Sequence, residues 1–396
     1  MIQLRPHQAR IVDAMSTNPK GQVIVPTGGG KTLCMIKDAQ REFNSGNKWG
    51  FLLKKPDRKT IVVVSPRILL AQQHCEEFEE YMGLHPMLQR QVLHVHSGDT
   101  HHYSTTSSKA IKEWEANNHR YNKLIFTTYH SLHRVQESGI NVDTVYFDEA
   151  HNSVQRHFYP ATEFYSGLDN VRCYFFTATP KYNKSIYNPS MDDEEIYGKE
   201  LERVSPRELI DSGYILPPKL SIKELEMTEV GRTPVWKESQ HLIDTIDEAS
   251  VDKVLICARR TAQIVTLIED TNFASELSSR GYSWMYITSK TGAFIDGSKV
   301  DRDTFFETLR EWGKEDKKRF VILHHSILSE GISVPGLEAA LFMRNMNPIT
   351  ISQTIGRVIR TDSVDKKFGL ISVPVYDRVG IKTARSVSSV VERILS

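Results

Sequence analysis

Short apolar segments alternate with longer amphipathic stretches along the whole chain, and this alternation limits the possible folds more than any other feature. The segments predicted as strands are Gln22–Val25, Thr60–Ser65, Leu124–Thr127, Thr144–Phe147 and Cys173–Thr177 in the first half, and Lys253–Cys257, Ser283–Thr288, Phe320–His324, Leu337–Met343 and Gly369–Val373 in the second. Strands that are almost wholly apolar are buried on both faces, which is typical of a parallel sheet covered by helices. Two such sets predict two α/β domains.

A joint between the two sets is predicted near the middle of the chain. The length of 396 residues, at about 100–200 residues per domain, allows two or three domains. Ser205-Pro206 begins a short helix over Arg207–Asp211 that stops at Gly213, and Pro217-Pro218 then prevents its continuation. We therefore expect a first domain over 1–204, a linker over 205–218 and a second domain over 219–396.

Composition excludes several classes of protein. The 50 basic and 49 acidic residues give a net charge of +1, so any affinity for nucleic acid must come from local patches. The cysteines form no CxxC pair, which argues against a disulfide scaffold and a structural zinc site; they are Cys34, Cys75, Cys173 and Cys257. No apolar run is long enough to span a bilayer. The N-terminal residues resemble neither a signal nor a transit peptide, and we expect a cytoplasmic protein.

Several histidines crowd one region and raise the question of a metal site. His94, His96, His101 and His102 lie in a stretch rich in Ser, Thr, Gly and Asp. The stretch lacks the H-x-x-x-H spacing of many zinc sites on helices. We therefore interpret 85–122 as a solvated loop between strand ends, placed where it can touch nucleic acid.

The sharpest local signal is a glycine-rich loop between a predicted strand and a predicted helix. Residues 25–32 read Val-Pro-Thr-Gly-Gly-Gly-Lys-Thr. Glycines let the backbone pass close to a phosphate, and the following helix N-terminus adds a positive dipole end. Lys31 is predicted to hold the β- and γ-phosphates and Thr32 to ligate Mg²⁺. The loop residues expected to surround the nucleotide are Pro26, Thr27, Gly28, Gly29 and Gly30.

Two acidic residues follow the strand Thr144–Phe147 directly. Their position at the carboxyl end of a strand is where α/β ligand sites form. Asp148 is predicted to hold Mg²⁺ and Glu149 to orient the water that attacks the γ-phosphate. An Asp-Glu pair alone often only begins a helix, but the phosphate loop upstream favours the functional interpretation.

With these motifs the chain resembles the superfamily 2 helicases of the DEAD/DEAH-box type over nearly its whole length. Asp148-Glu149-Ala150-His151 resembles the DEAH box. Residues 4–8 resemble the adenine-reading element of the family, which places Arg5 and Gln8 at the nucleotide. Thr177-Ala178-Thr179-Pro180 resembles the motif that couples nucleotide state to movement, which gives Thr177, Thr179 and His151 coupling roles. The resemblance implies two tandem RecA-like domains, each a mostly parallel sheet covered by helices, with ATP and Mg²⁺ in the cleft between them.

The second half carries two further motifs of the same family. Residues 326–335 and the run from Gln353 to Arg360 resemble the late motifs of the second domain. The family pattern places Gly331 at the nucleotide and assigns catalytic roles to Gln353, Arg357 and Arg360. The i, i+3 spacing of the arginines predicts that both lie on one helix face. Positive charge delivered to the γ-phosphoryl group raises the rate of its transfer, so closure of the second domain is expected to switch on hydrolysis.

The resemblance also nominates residues that touch a nucleic-acid strand, namely Arg67, Thr127, Thr128, Arg259 and Ser329. Such contacts to phosphates position a strand without reading its sequence. DNA is favoured over RNA because Thr177-Ala178-Thr179 replaces the Ser-Ala-Thr of RNA-type relatives. The compact form resembles small phage DNA helicases of the UvsW type, which implies forked or branched DNA, partners from recombination, repair or replication, and the host cytoplasm. An RNA helicase, a duplex translocase and a non-hydrolysing ATP-gated clamp remain alternatives.

Overall fold

The computed structural model describes residues 3–45, 58–82, 90–98, 100–183, 185, 187–224, 234–288, 290–325, 334–361, 366–375 and 380–396. The chain divides into two compact units, Met1–Val204 and Ser205–Ser396. Residues 205–218, expected to form a linker, contribute a short helix and the first residue of a strand to the second unit. Among the described residues, every helix is too short or too polar to span a bilayer.

The N-terminal unit is built on a parallel sheet. Its strands are β1 (Lys20–Ile24), β2 (Thr60–Ser65), β3 (Arg90–Val95), β4 (Asn122–Thr128), β5 (Thr144–Phe147), β6 (Arg172–Thr177) and β7 (Glu200–Arg203). They lie in the order β3-β4-β2-β5-β6-β1-β7, and all the pairs are parallel. The helices are α1 (Pro6–Thr17), α2 (Lys31–Ser45), α3 (Ile68–Met82), α4 (Ser108–Asn117), α5 (Leu132–Ser138), α6 (Tyr159–Ser166) and α7 (Glu194–Tyr197). A 3-10 turn spans Ala150–Asn152.

The strands of this sheet are buried because their side chains are apolar on both faces. Every residue of β2, β4 and β5 is buried, as expected for a parallel sheet covered by helices. Because parallel strands share a direction, the segments that follow β1, β2, β4, β5 and β6 all leave from one edge. The glycine-rich loop after β1, the acidic pair Asp148-Glu149 after β5 and the predicted coupling motif at the end of β6 therefore lie side by side.

The C-terminal unit has a sheet of mixed direction. Its strands are β8 (Pro218–Glu224), β9 (Lys253–Cys257), β10 (Ser283–Thr288), β11 (Gly292–Ile295), β12 (Ser298–Val300), β13 (Phe320–His324), β14 (Ala339–Phe342) and β15 (Gly369–Val375). The order is β12-β11-β10-β13-β9-β14-β15-β8, with antiparallel pairing only in the β10–β11–β12 part. The helices are α8 (Pro206–Asp211), α9 (Pro234–Ala249), α10 (Thr261–Glu269), α11 (Phe273–Ser279), α12 (Arg302–Lys314), α13 (Pro348–Val358) and α14 (Ile381–Leu395). The α/β class predicted for both units is confirmed.

The stretch interpreted as a solvated loop over 85–122 is not one in its described part. It contains β3 and α4, and His94 and His96 are 0% and 2% exposed. His94 pairs in parallel with Phe126 of β4, which draws it into the sheet. Sequence reasoning missed β3 because its polar residues interrupt the apolar pattern on which the other strands were recognised.

The prediction that Arg357 and Arg360 share a helix face is wrong. Helix α13 ends at Val358, two residues before Arg360. After Val358 the chain pairs with another segment instead of continuing the helix. The Ile359 carbonyl accepts from the Leu216 N–H at 2.6 Å, and Arg360 forms an antiparallel bridge with Ile215. Pairing with the segment before β8 thus ends the helix early.

Candidate functional site

The phosphate loop, residues 25–30, connects β1 to α2 in a backbone conformation that requires glycine. Gly28 and Gly30 have φ of 89° and 78°, in the left-handed region that disfavours other residues. A Cβ on Gly30 would lie 2.3 Å from Gln8 Nε2, so a side chain there would also have to displace the Gln8 amide. The Gly29 N–H donates to the Pro26 carbonyl at 3.0 Å.

The start of α1 is fastened to this loop. The Gln8 amide donates to the carbonyls of Gly29 and Gly30 at 3.3 and 3.4 Å, and its Oε1 accepts the Arg5 N–H at 2.9 Å. Arg5 Nη1 lies 3.5 Å from the Gly28 carbonyl. His7 also donates, from Nε2 to the Gly29 carbonyl at 2.8 Å. Arg5 and Gln8 therefore contact the glycine-rich loop, and their predicted contact with the nucleotide stays a prediction.

Lys31 joins the loop to the acidic pair. Its ammonium lies 2.8 Å from Glu149 Oε1 and 3.8 Å from Asp148 Oδ1. All three side chains are largely buried, with 5–14% of their surface exposed, so water screens their attraction weakly. The structure thus brings the Lys31 cation together with both predicted carboxylates, which lie 117 and 118 residues further along the sequence.

Glu149 is held in a strained backbone conformation. Its φ of 47° and ψ of 51° are left-handed, which is uncommon outside glycine. Asn152 supports the turn, because its N–H and its side-chain amide both donate to the Glu149 carbonyl, at 2.9 and 3.0 Å. Such strain concentrates at functional sites, where the surrounding structure maintains it.

A buried histidine joins the two predicted Mg²⁺ ligands. His74 of α3 donates from Nε2 to Asp148 Oδ2 at 3.0 Å, and its Nδ1 lies 3.5 Å from Thr32 Oγ1. Burial opposes ionisation of Asp148, yet the Lys31 ammonium and the His74 hydrogen bond hold the pKa of Asp148 down at about 2. Burial likewise lowers the pKa of His74, but Asp148 more than offsets this and raises that pKa above its ordinary value.

The acidic pair is also linked to the predicted coupling motif. The Asn152 amide donates to His151 Nε2 at 3.3 Å, so a neutral His151 carries its hydrogen on Nδ1. That nitrogen lies 3.0 Å from Thr177 Oγ1 and 3.5 Å from Glu149 Oε2. Thr177 Oγ1 also accepts the Thr179 N–H at 3.1 Å. A continuous polar path therefore runs from Lys31 through Glu149 to the end of β6.

Comparison with known proteins agrees with this arrangement. Residues 5–186 match the sequence model of DEAD/DEAH box helicases. The N-terminal unit is a DEAD/DEAH box helicase domain. The chain matches no curated protein in sequence.

Solved structures that resemble the chain extend the fold assignment beyond the helicase domain. An ATP-dependent Type ISP restriction-modification enzyme, LlaBIII bound to DNA, matches with a TM-score of 0.72 and 18% identity over 100% of this chain and 30% of its own. Mss116p bound to ssRNA and AMP-PNP matches with a TM-score of 0.61 and 16% identity over 94% of this chain and 70% of its own. Dbp5 of S. cerevisiae, bound to RNA and ADP BeF3, matches with a TM-score of 0.60 and 16% identity over 99% of this chain and 87% of its own. The two units thus have the fold of tandem RecA-like helicase domains, and this chain spans less than a third of LlaBIII.

Three residues predicted to contact nucleic acid, Arg67, Thr127 and Thr128, lie beside the helicase-domain site, at the same sheet edge. Arg67 is exposed between β2 and α3. Thr128 and Thr127, at the end of β4, are 4% and 0% exposed, and the Thr127 hydroxyl donates to the Val95 carbonyl at 2.9 Å. Arg67 is therefore placed to meet a ligand from solvent, whereas the Thr127 hydroxyl already bonds to β3.

In the C-terminal unit the predicted residues fall at separate places. Gln353 and Arg357 are buried in α13, and Arg360 follows that helix. Arg259, after β9, forms an ion pair with the fully buried Glu238 of α9. Ser329 and Gly331 lie outside the described residues. The catalytic and nucleic-acid roles assigned to all of these residues stay predictions.

Two residues that sequence reasoning did not select occupy informative positions. The first is His74, for which the available signal was a histidine on the largely apolar buried face of α3. Arg344, after β14, lines a cavity of about 250 Å³ together with Arg259 and Glu238. It lies 3.3 Å from His325 Nε2, and burial lowers the pKa of Arg344 below its ordinary value. No carboxylate of the described residues forms an ion pair with this guanidinium.

Proposed function

We propose that the chain is an ATP-dependent nucleic-acid helicase or translocase that hydrolyses ATP to unwind or remodel DNA. The observation that carries the proposal is the buried contact of Lys31 with Glu149 and Asp148 at the edge of a parallel sheet, beside a loop of left-handed glycines. This combination provides a phosphate cradle, a metal-binding carboxylate and a general base within one unit.

The residues of this site fit a bound nucleotide and Mg²⁺. Asp148 Oδ1 and Thr27 Oγ1 are buried and have no hydrogen-bond partner among the described residues, as expected where a ligand completes the site. Thr32 and Asp148 would hold Mg²⁺, and the loop amides with Lys31 would hold the phosphates. When bound, ATP supplies the phosphoryl group, and Mg²⁺ neutralises part of its charge.

Lys31 and Glu149 change partners in the proposed reaction. Each neutralises the other in this structure, which keeps Glu149 from acting as a free base. Phosphate oxygens would draw the Lys31 ammonium away, after which Glu149 can orient water and accept its proton at a carboxylate oxygen. The left-handed backbone of Glu149 holds that carboxylate at the sheet edge throughout.

Arg357 and Arg360 are proposed to complete the site when the second unit closes on the first. Their contribution is positive charge at the γ-phosphoryl group, which raises the rate by about 10³–10⁵-fold in related chemistry. ATP would drive closure, and hydrolysis would allow opening. This cycle would move the nucleic-acid contacts of one unit relative to those of the other. The polar path from Glu149 through His151 to Thr177 supports coupling between ATP hydrolysis and this movement.

DNA is the proposed substrate. Support comes from the DNA-bound LlaBIII structure, which matches the whole chain with a TM-score of 0.72, against 0.61 and 0.60 for the RNA-bound structures. The Thr177-Ala178-Thr179 triplet favours DNA as well. Forked or branched DNA is proposed from the resemblance to UvsW-type helicases, and Arg67 and Arg259 are the proposed backbone contacts.

An RNA helicase is the second candidate, because the RNA-bound Mss116p and Dbp5 share the fold over 94% and 99% of this chain. One ATPase experiment separates the substrates. Turnover by the full chain is compared with single-stranded DNA, a fork, a four-way junction and single-stranded RNA. We expect the largest stimulation with branched DNA, and stimulation by RNA alone would overturn the DNA assignment.

Two variants test whether hydrolysis uses the proposed residues. Lys31→Ala should lower turnover by about 10³-fold because it removes a charge that stabilises the transition state. Glu149→Gln should bind ATP and DNA but not release them through hydrolysis. Lys37→Ala is the matched control, since Lys37 lies on the same helix and, among the described residues, its ammonium donates only to Gln40 Oε1, at 3.1 Å. Full turnover in Lys31→Ala would refute the site.

The remaining alternatives give different outcomes on DNA. A duplex translocase would displace a triplex-forming strand from DNA and leave a fork intact. A non-hydrolysing clamp would show ATP-dependent DNA affinity and no phosphate release. Strand separation at a fork that requires ATP and is lost in Glu149→Gln would exclude both.

A further inference from the structure

We propose that Cys75, Glu79 and His102 bind a divalent transition metal, best matched by Zn²⁺, on the N-terminal unit. The Cys75 sulfur, a Glu79 carboxylate oxygen and a His102 ring nitrogen all lie within 4.8 Å of one another. Thiolate, carboxylate and imidazole are ligands that Zn²⁺ accepts together, and sites with three protein ligands leave the fourth position to water. This site is separate from the phosphate site and does not depend on the proposed helicase activity.

The separation of the nitrogen and oxygen ligand atoms agrees with a tetrahedral metal. Zinc bonds to nitrogen and oxygen are about 2.0–2.1 Å long, which places two tetrahedral ligand atoms about 3.3 Å apart. The distance between His102 Nε2 and Glu79 Oε2 is 3.2 Å. The pair therefore already has the separation that a shared metal requires.

Two independent parts of the chain bring the ligands together. Cys75 and Glu79 are four residues apart on α3 and share one face of the helix. The segment that carries His102 is fastened along β3, because the His94 N–H donates to the Tyr103 carbonyl at 2.9 Å and the Thr105 N–H to the His94 carbonyl at 3.0 Å. The backbone that carries the three side chains is therefore held by hydrogen bonds on both segments.

A neighbouring histidine, His94, carries a buried polar atom without a partner among the described residues. The Gly98 N–H donates to His96 Nδ1 at 3.2 Å, so a neutral His96 carries hydrogen on Nε2 and donates it to His94 Nδ1 at 2.9 Å. A neutral His94 then carries its own hydrogen on Nε2. That nitrogen is buried and has no partner among the described residues, and the His94 ring stacks on that of His102 with centroids 5.7 Å apart.

An orphaned N–H donor calls for a hydrogen-bond acceptor such as water, so His94 is not one of the proposed metal ligands. The Glu79–His102 contact alone would not explain the thiol beside it. Metal binding would convert the Cys75 thiol to a thiolate: the S–H bond breaks, a sulfur–metal bond forms and one proton goes to solvent. Nothing is oxidised or reduced in this step.

The site would also affect the position of α3. Residue 74, directly before Cys75, is the histidine that contacts Asp148 and Thr32. A metal that joins α3 to the segment after β3 would hold that helix in place beside the phosphate site. Metal loading is therefore expected to raise the thermal stability of the whole N-terminal unit.

The test uses the full-length chain, stripped of metal with a chelator and titrated with Co²⁺. A thiolate bound to Co²⁺ gives a charge-transfer absorption band in the near ultraviolet, which carboxylate and imidazole ligands do not produce. We expect this band to saturate at one Co²⁺ per chain and to disappear when Zn²⁺ is added. Cys75→Ser should abolish the band, and His102→Ala should weaken Zn²⁺ binding by at least about 100-fold.

Two controls keep the result decisive. Cys173→Ala removes the fully buried cysteine of β6, and His119→Ala removes an exposed histidine outside the group; both should keep the band. His102 is 30% exposed, so its substitution tests the proposal even where Cys75→Ser fails to fold. Absence of the band in the unmodified chain, a band that survives in folded Cys75→Ser, or unchanged Zn²⁺ affinity in His102→Ala would overturn the proposal.

Discussion

The two units place their charged residues in different ways. In the N-terminal unit a cation and two carboxylates meet at one sheet edge, and histidines join them to α3 and β6. In the C-terminal unit the arginines lie apart, with Arg259 bound to a buried glutamate and Arg344 beside His325. The residues predicted to hold phosphates and Mg²⁺ thus lie together in the first unit, whereas the described arginines of the second unit lie at separate places. This difference agrees with the proposal that the first unit binds the nucleotide and that the second supplies positive charge.

Substitution of Arg360 gives the sharpest test of that division. Arg360→Ala should lower ATP turnover by about 10³-fold, because the role we propose for its charge is in the transition state. Nucleotide affinity, measured by titration with a fluorescent ATP analogue, should change little. Turnover at the normal rate would show that the second unit does not deliver this cation.

Arg357 provides a comparison within the same motif. It is buried in α13, so Arg357→Ala should lower the melting temperature as well as turnover, whereas Arg360→Ala should lower turnover alone.

The polar network of the first unit makes its stability depend on pH through His74. Replacement of His74 with Gln should lower the free energy of unfolding by about 1–3 kcal/mol, because it removes a buried hydrogen bond to a charged group. The pKa of His74 is raised above 6.5 in the folded chain, so the charge-dependent part of this stabilisation is complete below pH 6.5 and is lost as the pH rises through the raised value. Asp148, with a pKa of about 2, stays ionised throughout that range.

Urea denaturation at several pH values measures the effect. The difference between the unmodified chain and His74→Gln should shrink from pH 6 to pH 9, and His133→Gln, at an exposed position, should show no such trend. A difference that grows with pH would contradict the assignment.

The strain at Glu149 predicts an unusual order of stabilities. Glu149→Gly should be more stable than Glu149→Ala by about 1 kcal/mol, because only glycine adopts the left-handed backbone without a steric cost. Both variants should be inactive. At Glu137, exposed in α5, the same two substitutions should give the opposite order. Equal stability of the two Glu149 variants would show that the backbone relaxes.

The smallest expected effect concerns Arg344 in the second unit. If this guanidinium meets a backbone phosphate, Arg344→Gln should weaken DNA binding by about threefold to tenfold and reduce the slope of log affinity against log salt by about 1. Fluorescence anisotropy between 50 and 200 mM salt, about the range over which phosphate contacts are separated, measures both. Arg393→Gln, at an exposed position of α14, is the control and should leave the slope unchanged.

Much of the fold and of the first unit's site was predictable from the sequence, because the relevant signals are local. Uninterrupted apolar runs mark strands buried on both faces, and Gly28 to Thr32 and Asp148-Glu149 lie directly after two of them. The less regular elements were missed. Strand β3 contains polar residues, and the hairpin β11–β12 depends on a turn at Asp296 and Gly297, whose signal is weak beside the apolar strands.

The sequence by itself determined the layered α/β architecture and the residue types of the phosphate site, since both follow from neighbours in the chain. Tertiary structure alone decided which distant side chains meet. It placed His74 against Asp148, ended α13 before Arg360, paired Arg259 with Glu238 and brought His102 to Cys75 and Glu79. These contacts depend on strand order and on where helices end, and such properties arise from packing over the whole unit, which no local pattern encodes.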